Sequence, residues 1–393
     1  MRGACGIDVD VDKTFISFVA IKRKRLSFLE EVGFHTNVSS GKKGWGHFLS
    51  SLKHNSDALI NEIRNKETKY SFRIGKVFLT LPSTLVHRAV VEEAIPLRKR
   101  KKITSRDLLF AKKYLENIFL EWDDFCIHHF VLQYEVEGEV YTHAPLGVWA
   151  KKIKLKSHFI WVKDKFRKEV EGIFINLDRD FGGFVAGGVS SIATALSLNN
   201  RKRRLGAIKI GYQNSSLIIM HSGKIEHEQE FDFGLERVFQ SLGEGFSFPF
   251  ELAQEIFSRY ISFKSLPRFN QESIGRELSL RRGDQYVHLN THTMNSFVKK
   301  YIRNEITGIV ERLREKMYDP NIALFFVGRL NEKEGFGNFL REFIPYSIQF
   351  PFHKESSSSF GCVRYGLSPF LERDEIESQS VFQKALHICK EYF

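Results

Sequence analysis

Metal-ligand and disulfide spacings are missing from this 393-residue chain. Its four cysteines, Cys5, Cys126, Cys362 and Cys389, lie far apart. That excludes a thiolate metal knuckle and a disulfide framework, and reads as isolated thiols of a reducing compartment. No run approaches the roughly 18 apolar residues of a membrane-spanning helix. The opening Met-Arg-Gly-Ala-Cys-Gly-Ile-Asp8 enters a strand pattern at once, without a signal-peptide profile. No serine or cysteine nucleophile sits in an elbow motif. His128 and His129 adjoin in a strand pattern that sends their rings to opposite faces. His288 and His292 fall in a strand or loop with no companion glutamate. Gly243-Glu-Gly-Phe-Ser-Phe-Pro249 follows a helical run and reads as a loop rather than a phosphate cradle. No catalytic residue and no metal ligand is assigned.

What is present is a chain that is 42% hydrophobic and 27% charged, long enough for two or more subdomains. Its net charge of +12 calls for an anionic partner, nucleic acid or a phospholipid surface. The cations concentrate in Lys22–Arg25, Arg98–Lys102 and Arg201–Arg204, each between apolar segments and each read as a solvated turn or loop. None is interleaved with the aromatics that nucleic-acid stacking needs, so nucleic acid is set aside. The 37 phenylalanines are scattered through apolar segments and read as core.

Alternating patterns predict strands over 6–9, 14–21 and 26–34, then a helix over 41–65 and a buried strand over 77–81. Strands continue to Pro96. A helix starts at Thr104 or Ser105, both favourable caps, with Asp107 in its first turn. Strands over 130–140 and 153–162 and helices over 166–174 and 190–197 follow. Residues 205–220 read as a hairpin with a polar turn at Tyr212–Ser215. Helices over 250–260 and 295–317 precede a strand at 323–327. Two halves that each begin with a β-hairpin suggest a duplicated α/β fold.

The last thirteen residues, Val381-Phe-Gln-Lys-Ala-Leu-His-Ile-Cys-Lys-Glu-Tyr-Phe393, separate into an apolar and a polar face at helical spacing. They follow an acidic, polar run, 371–380, that reads as a linker. A short amphipathic helix is marginal in water and needs an apolar surface to lie on. A membrane interface and the protein's own body both qualify.

Taken in order, several segments resemble FtsA, the bacterial actin homologue that anchors the FtsZ division ring. They are Cys5-Gly-Ile-Asp-Val9, Ile103-Thr-Ser-Arg-Asp107, Gln133–Gly138, Ala144-Pro-Leu-Gly147, Lys152–His158, Val189–Ala195 and Phe248–Gln254, together with the tail. The resemblance implies an actin-like (ASKHA) two-lobed α/β fold with an extra subdomain, 1C or SHS2, and a C-terminal amphipathic helix. On that template 1–75 and 163–203 form subdomain 1A, and 76–162 forms 1C. Residues 204–237 and 319–370 form 2A, and 238–318 forms 2B. Residues 371–380 are the linker and 381–393 the membrane-targeting helix.

The nucleotide motifs depart from that template. The first phosphate turn matches at Asp8 and continues Val9-Asp10-Val11-Asp12-Lys13-Thr14, placing Asp10 where the family has glycine. The second turn, Lys209-Ile-Gly211-Tyr-Gln-Asn-Ser215-Ser216, keeps one glycine and neither acid. The adenosine turn keeps only Gly328, and Gln254 and Phe257 replace a Glu and a Lys beside the nucleoside. A carboxylate in an anion nest repels phosphate, and lost acids leave magnesium without positioning groups. The remnant site is Asp8, Lys13, Thr14, Gly211, Ser215 and Gly328. It predicts a lost or weakened nucleotide site, no cofactor, and at most weak ATP affinity and ATPase activity. The competing reading keeps ATP, without hydrolysis, on Lys13, Lys209 and backbone amides.

The resemblance implies a protein at the cytoplasmic face of the cell membrane at the division site. Its partners there are the FtsZ C-terminal peptide through subdomain 2B (about Phe239–Val310), other divisome proteins through 1C, and further copies of itself in filaments. Phe382, Leu386, Ile388 and Phe393 would enter the acyl boundary, with Lys384 and Lys390 at anionic headgroups. The alternative is an adaptor of the PilM type, which shares the fold and extra subdomain and binds a short peptide of a pilus protein.

Overall fold

The computed structural model describes residues 2–9, 13–22, 25–35, 44–176, 178–195, 204–221, 224–264, 277–282, 285–316, 322–350 and 358–367. The chain divides into two compact units, one of residues 1–193, 221–226 and 359–393 and the other of 194–220 and 227–358.

The first unit is built on a five-stranded sheet in the order β3-β2-β1-β4-β9. Its strands are β1 (Arg2–Val9), β2 (Lys13–Lys22), β3 (Arg25–His35), β4 (Arg73–Leu81) and β9 (Asp180–Ala186). β1 runs antiparallel to β2 and parallel to β4, and β4 runs parallel to β9. Cys5 and Ile7 on β1 are fully buried, as expected of a central strand. Burial pushes the Cys5 thiol up to about 12, so it stays protonated and inert. Around this sheet lie α1 (Trp45–His54), α2 (Ser56–Tyr70), α4 (Asp164–Asn176) and α5 (Gly187–Ala195). The helix expected over 41–65 is two helices that part at the buried Asn55 and run on to Tyr70. Asn55 donates from Nδ2 to the Thr14 hydroxyl at 3.4 Å, a contact that sequence periodicity cannot register. Late in the chain α10 (Ser358–Leu367) returns to this unit. The Ser359 carbonyl lies so close to Gly6 that a Cβ there would stand 2.0 Å from its oxygen. Ser17 and Ser359 join through their hydroxyls at 2.7 Å, and Arg364 donates to the Ala193 carbonyl in the last turn of α5.

Between β4 and α4 the chain inserts a second sheet, order β5-β8-β6-β7, from β5 (His87–Lys102), β6 (Asp124–Val136), β7 (Glu139–Tyr141) and β8 (Trp149–Lys163). One face is covered by α3 (Ser105–Phe119), which buries Leu108, Ala111 and Leu115 on Ile153, Leu155 and Phe159. Its start is a capping box. Thr104 accepts from the Asp107 N–H, and Asp107 accepts in return from the Thr104 N–H at 3.0 Å. Lys101 closes on the same carboxylate and helps hold it below the usual carboxylate range against the opposing effect of burial. As expected, His128 and His129 point to opposite faces. His128 accepts the Ala186 N–H and stacks on Phe130, while His129 lies against Phe159.

The second unit repeats the plan of the first with a sheet in the order β12-β11-β10-β15-β16. Here β10 (Leu205–Ile210) runs antiparallel to β11 (Ser215–His221) and parallel to β15 (Ala323–Gly328), which in turn runs parallel to β16 (Ser347–Gln349). β12 (Lys224–Phe231) completes it. Two helices, α6 (Leu235–Phe246) and α7 (Phe250–Tyr260), lead to the hairpin of β13 (Glu277–Arg282) and β14 (Gln285–Asn290). The long α8 (Thr291–Lys316) buries Met294, Val298, Ile302, Ile306, Ile309 and Leu313 along one stripe. A short α9 (Phe336–Arg341) precedes β16. The glycine-bearing stretch expected as a loop is instead the last turn of α6 up to Phe246, and only residues 247–249 connect to α7. His288 lies on β14 and His292 in the first turn of α8, on separate elements.

Candidate functional site

The carboxyl ends of β10 and β15 lie side by side, with Ile210 paired to both Ser215 and Gly328. In open α/β sheets this is where ligands bind. Three of the six residues expected to hold nucleotide, Gly211, Ser215 and Gly328, therefore meet in the second unit. The other three meet in the first unit at the end of β1, where Val9 pairs with Thr14 and Asp8 with Phe15. Thr14 is fully buried. Asp10, Val11 and Asp12, expected in the first phosphate turn, lie outside the described residues.

The second turn is closed on itself. The Gly211 N–H donates to the Asn214 carbonyl at 3.0 Å. The Gly211 carbonyl accepts from Leu235 N–H at 3.1 Å, and the Tyr212 carbonyl accepts from Glu236 N–H at 2.8 Å. Leu235 and Glu236 open α6, and their N–H groups are the orphan donors that a helix start would offer to a phosphate. Here the turn's own carbonyls take them. The Ser215 hydroxyl donates at 2.6 Å to the Phe233 carbonyl and is buried. Lys209 stands on β10 in register with Ser216 and Val327, inside the sheet rather than on the turn.

Aromatic side chains fill the flank of this turn. Tyr212 is buried and meets Phe239 edge-on at 6.1 Å, and the Arg329 guanidinium lies 5.8 Å from the Tyr212 ring. Phe239 also packs edge-on against Phe250 and Phe257, at 5.9 and 5.2 Å. Phe257, at the position where the resemblance leads one to expect a lysine for the nucleoside, is thus a buried member of this cluster. Lys333 lies over its ring and donates to the Phe257 and Ser258 carbonyls at 2.7 and 2.8 Å, capping the end of α7. Burial draws the Lys333 ammonium below the usual lysine range. Gly328 has φ +118°, and a Cβ there would stand 2.2 Å from the Ile210 carbonyl oxygen. Its freedom serves backbone packing between β10 and β15.

Sequence reading did not bring Tyr212, Phe239, Arg329 and Lys333 together, since nothing in their spacing joins three separate segments. It also passed over a carboxylate trio, Glu121, Asp123 and Asp124, with ligand atoms within 4.8 Å of one another. The Lys163 ammonium reaches all three, at 2.7, 3.0 and 2.9 Å, and stands where a cation would. The tail residues Phe382, Lys384, Leu386, Ile388, Lys390 and Phe393 lie outside the described residues. Among the described residues no helix is long and apolar enough to cross a membrane.

No family model matches the chain, and no curated protein matches it. Among solved structures it is similar to a chain of the PilM-PilN type IV pilus biogenesis complex. The identity is 11%, the match covers 95% of this chain and 98% of that one, and the TM-score is 0.56. The ethanolamine utilization protein EutJ from Carboxydothermus hydrogenoformans matches at 11% identity, 92% and 89% coverage and a TM-score of 0.51. A diol dehydratase-reactivating factor in nucleotide-free form gives 10%, 94% and 100%, and 0.51. Identities this low speak for architecture alone. With the repeated sheet order of the two units, they establish that this chain has an actin-like fold.

Proposed function

We propose that this protein is a non-catalytic actin-fold tether that couples a cytoplasmic polymer to the membrane. The observation that carries this reading is the closed second turn, whose carbonyls occupy the first N–H groups of α6. A nest that must cradle phosphate needs those donors directed at the ligand. With the turn bonded internally and Phe257 packed where a nucleoside-binding lysine is expected, the fold serves as a docking body. By the resemblance to FtsA, the polymer is FtsZ, met through its C-terminal peptide at residues 238–318, and 381–393 is the membrane anchor. On this reading ATP affinity and ATPase activity are at most weak. One anchor of this size binds modestly, so attachment rests on avidity along the polymer or on self-association.

Co-sedimentation with anionic liposomes tests this, using the full chain and a chain ending at Ser380, each with and without FtsZ. The full chain pellets and carries FtsZ, and the truncated one stays in solution. Equal behaviour of the two overturns the tether. A second reading, a PilM-type adaptor for a pilus or secretion assembly, is favoured by the likeness to the PilM-PilN complex along 95% of this chain. It gains if truncation changes nothing and a membrane-protein peptide, rather than FtsZ, is bound.

A further inference from the structure

Among the described residues, nine of the eleven large apolar side chains that stand exposed lie on the inserted subdomain. Most belong to α3 or the turn after it: Leu109, Phe110, Tyr114, Ile118 and Trp122. A helix with a buried face has no need of apolar residues on its outer side. Phe110, Tyr114 and Ile118 follow at four-residue intervals and form a continuous shoulder beside the buried stripe, with the Phe110 and Tyr114 rings stacked at 5.9 Å. Glu116 projects almost opposite Tyr114 on the helix, at about 100° per residue, and reaches toward His129 on β6. The apolar shoulder therefore faces the other way, over β5.

β5 is the first strand in its sheet and, among the described residues, is hydrogen-bonded on one side only, to β8. Val91 and Leu97 rise from it into the same apolar cluster as α3. The Ala94 N–H bonds at 3.2 Å to the carboxylate of its own neighbour, Glu93, a local stopper on the unpaired edge. Pairing of β5 with β8 breaks between Pro96 and Lys101, so that Leu97-Arg-Lys-Arg100 bulges out. Pro96 and this bulge limit any added strand to the stretch from His87 to Ile95, about 25–30 Å long.

The two ends of that stretch differ in charge. Arg98, Lys99 and Arg100 are exposed at one end, and no ion pair neutralises them among the described residues. At the other end, where His87 pairs with Trp161 and Asp124 with Lys163, three carboxylates share the single Lys163. A bilayer of anionic lipid or a nucleic acid would be repelled at that second end, whereas a short peptide can match both. We propose that the free edge of β5 and the Phe110–Ile118 shoulder of α3 form a strand-addition site for an extended peptide of a partner protein. The peptide is apolar at alternate positions and acidic at the end that meets Arg98–Arg100. Its backbone pairs with β5 and displaces the Glu93 carboxylate, while alternate side chains pack between Val91, Leu97, Phe110 and Ile118. The site goes beyond the tether reading and does not depend on it.

The test selects peptides from a random phage-displayed library on the immobilised full chain, then measures the recovered peptides by fluorescence anisotropy. The expected consensus alternates apolar residues and carries Asp or Glu at one end. Phe110→Ser with Ile118→Ser, and separately the Arg98→Glu, Lys99→Glu, Arg100→Glu triple, each weaken binding about tenfold or more. These positions are exposed, and an unchanged circular dichroism melt verifies the fold. N-methylation of alternate peptide amides abolishes binding, as strand pairing requires. Absence of any consensus, or a consensus whose binding both variants leave intact, overturns the proposal. So does binding to vesicles of anionic lipid that the same variants abolish, which would make this face a lipid surface.

Discussion

Replacing His129 by phenylalanine should flatten the dependence of stability on pH between 7 and 5. The ring is 3% exposed, stacks on Phe159 at 4.1 Å, and neither nitrogen has a hydrogen-bond partner among the described residues. Burial, reinforced by the positive charges of Lys112 and Lys113, lowers its pKa to about 3. The Glu116 carboxylate, 4.0 Å from Nδ1, does not offset this. In the unfolded chain an imidazole takes its proton near pH 6.5. Between those values the unfolded state binds the extra proton, so stability is lost as pH falls below about 6.5. At pH 5 the cost to the native state is about 2 kcal/mol. Phenylalanine keeps the stack and loses no hydrogen bond. Urea unfolding of both proteins at pH 7.5 and 5, followed by tryptophan fluorescence, to which the inserted subdomain contributes Trp122, Trp149 and Trp161, gives the difference of differences. The wild type should lose about 2 kcal/mol more than the variant over this range. Equal losses would refute the reasoning and mean that His129 already binds its proton in the fold.

Gly328→Ala places a methyl group against the Ile210 carbonyl at φ +118° and should cost about 3 kcal/mol or more, read as a lowered melting midpoint or loss of soluble protein. Lys163→Ala leaves Glu121, Asp123 and Asp124 facing one another and should lower the melting temperature, with millimolar calcium restoring part of it. The wild type should not respond to calcium. Titration with a fluorescent ATP analogue should give no saturable binding at micromolar concentrations, and Lys209→Asp alone should not create it, because the N–H groups of Leu235 and Glu236 remain bonded. Ser17→Ala and Ser359→Ala should be less than additive by about 1 kcal/mol in a double-mutant cycle, since their hydroxyls bond to each other.

Local features were legible wherever a short-range rule governs them. The start of α3 followed from Thr104 and Asp107, whose capping box needs only residues three apart. The opposed rings of His128 and His129 followed from strand alternation. Set against the family pattern, Asp10, Lys209 and Arg329 gave the expectation of altered phosphate and adenosine turns, of which Asp10 lies outside the described residues. Less was visible where the environment decides. The phenylalanines read as core, yet Phe110 stands 58% exposed, because periodicity marks an apolar face without saying what covers it. The helix over 41–65 lost its continuity at Asn55, whose side chain answers Thr14, 41 residues earlier. Helical spacing also missed that Gly243 to Phe246 continue α6, since glycine lowers helix propensity without forbidding the conformation.

By itself, then, the sequence pattern determined the alternation of strands and helices and the two halves that each open on a hairpin, while the inserted subdomain and the altered nucleotide turns were expectations drawn from the resemblance. Only the tertiary structure decided how the turn after β10 is bonded. Gly211 and Tyr212 bond to α6, and Arg329 reaches Tyr212 from more than a hundred residues away. It also decided that β5, among the described residues, keeps an unpaired edge beside an apolar helix shoulder. Hydrogen bonds and burial depend on which distant segments meet, and that follows from the packing of the whole chain.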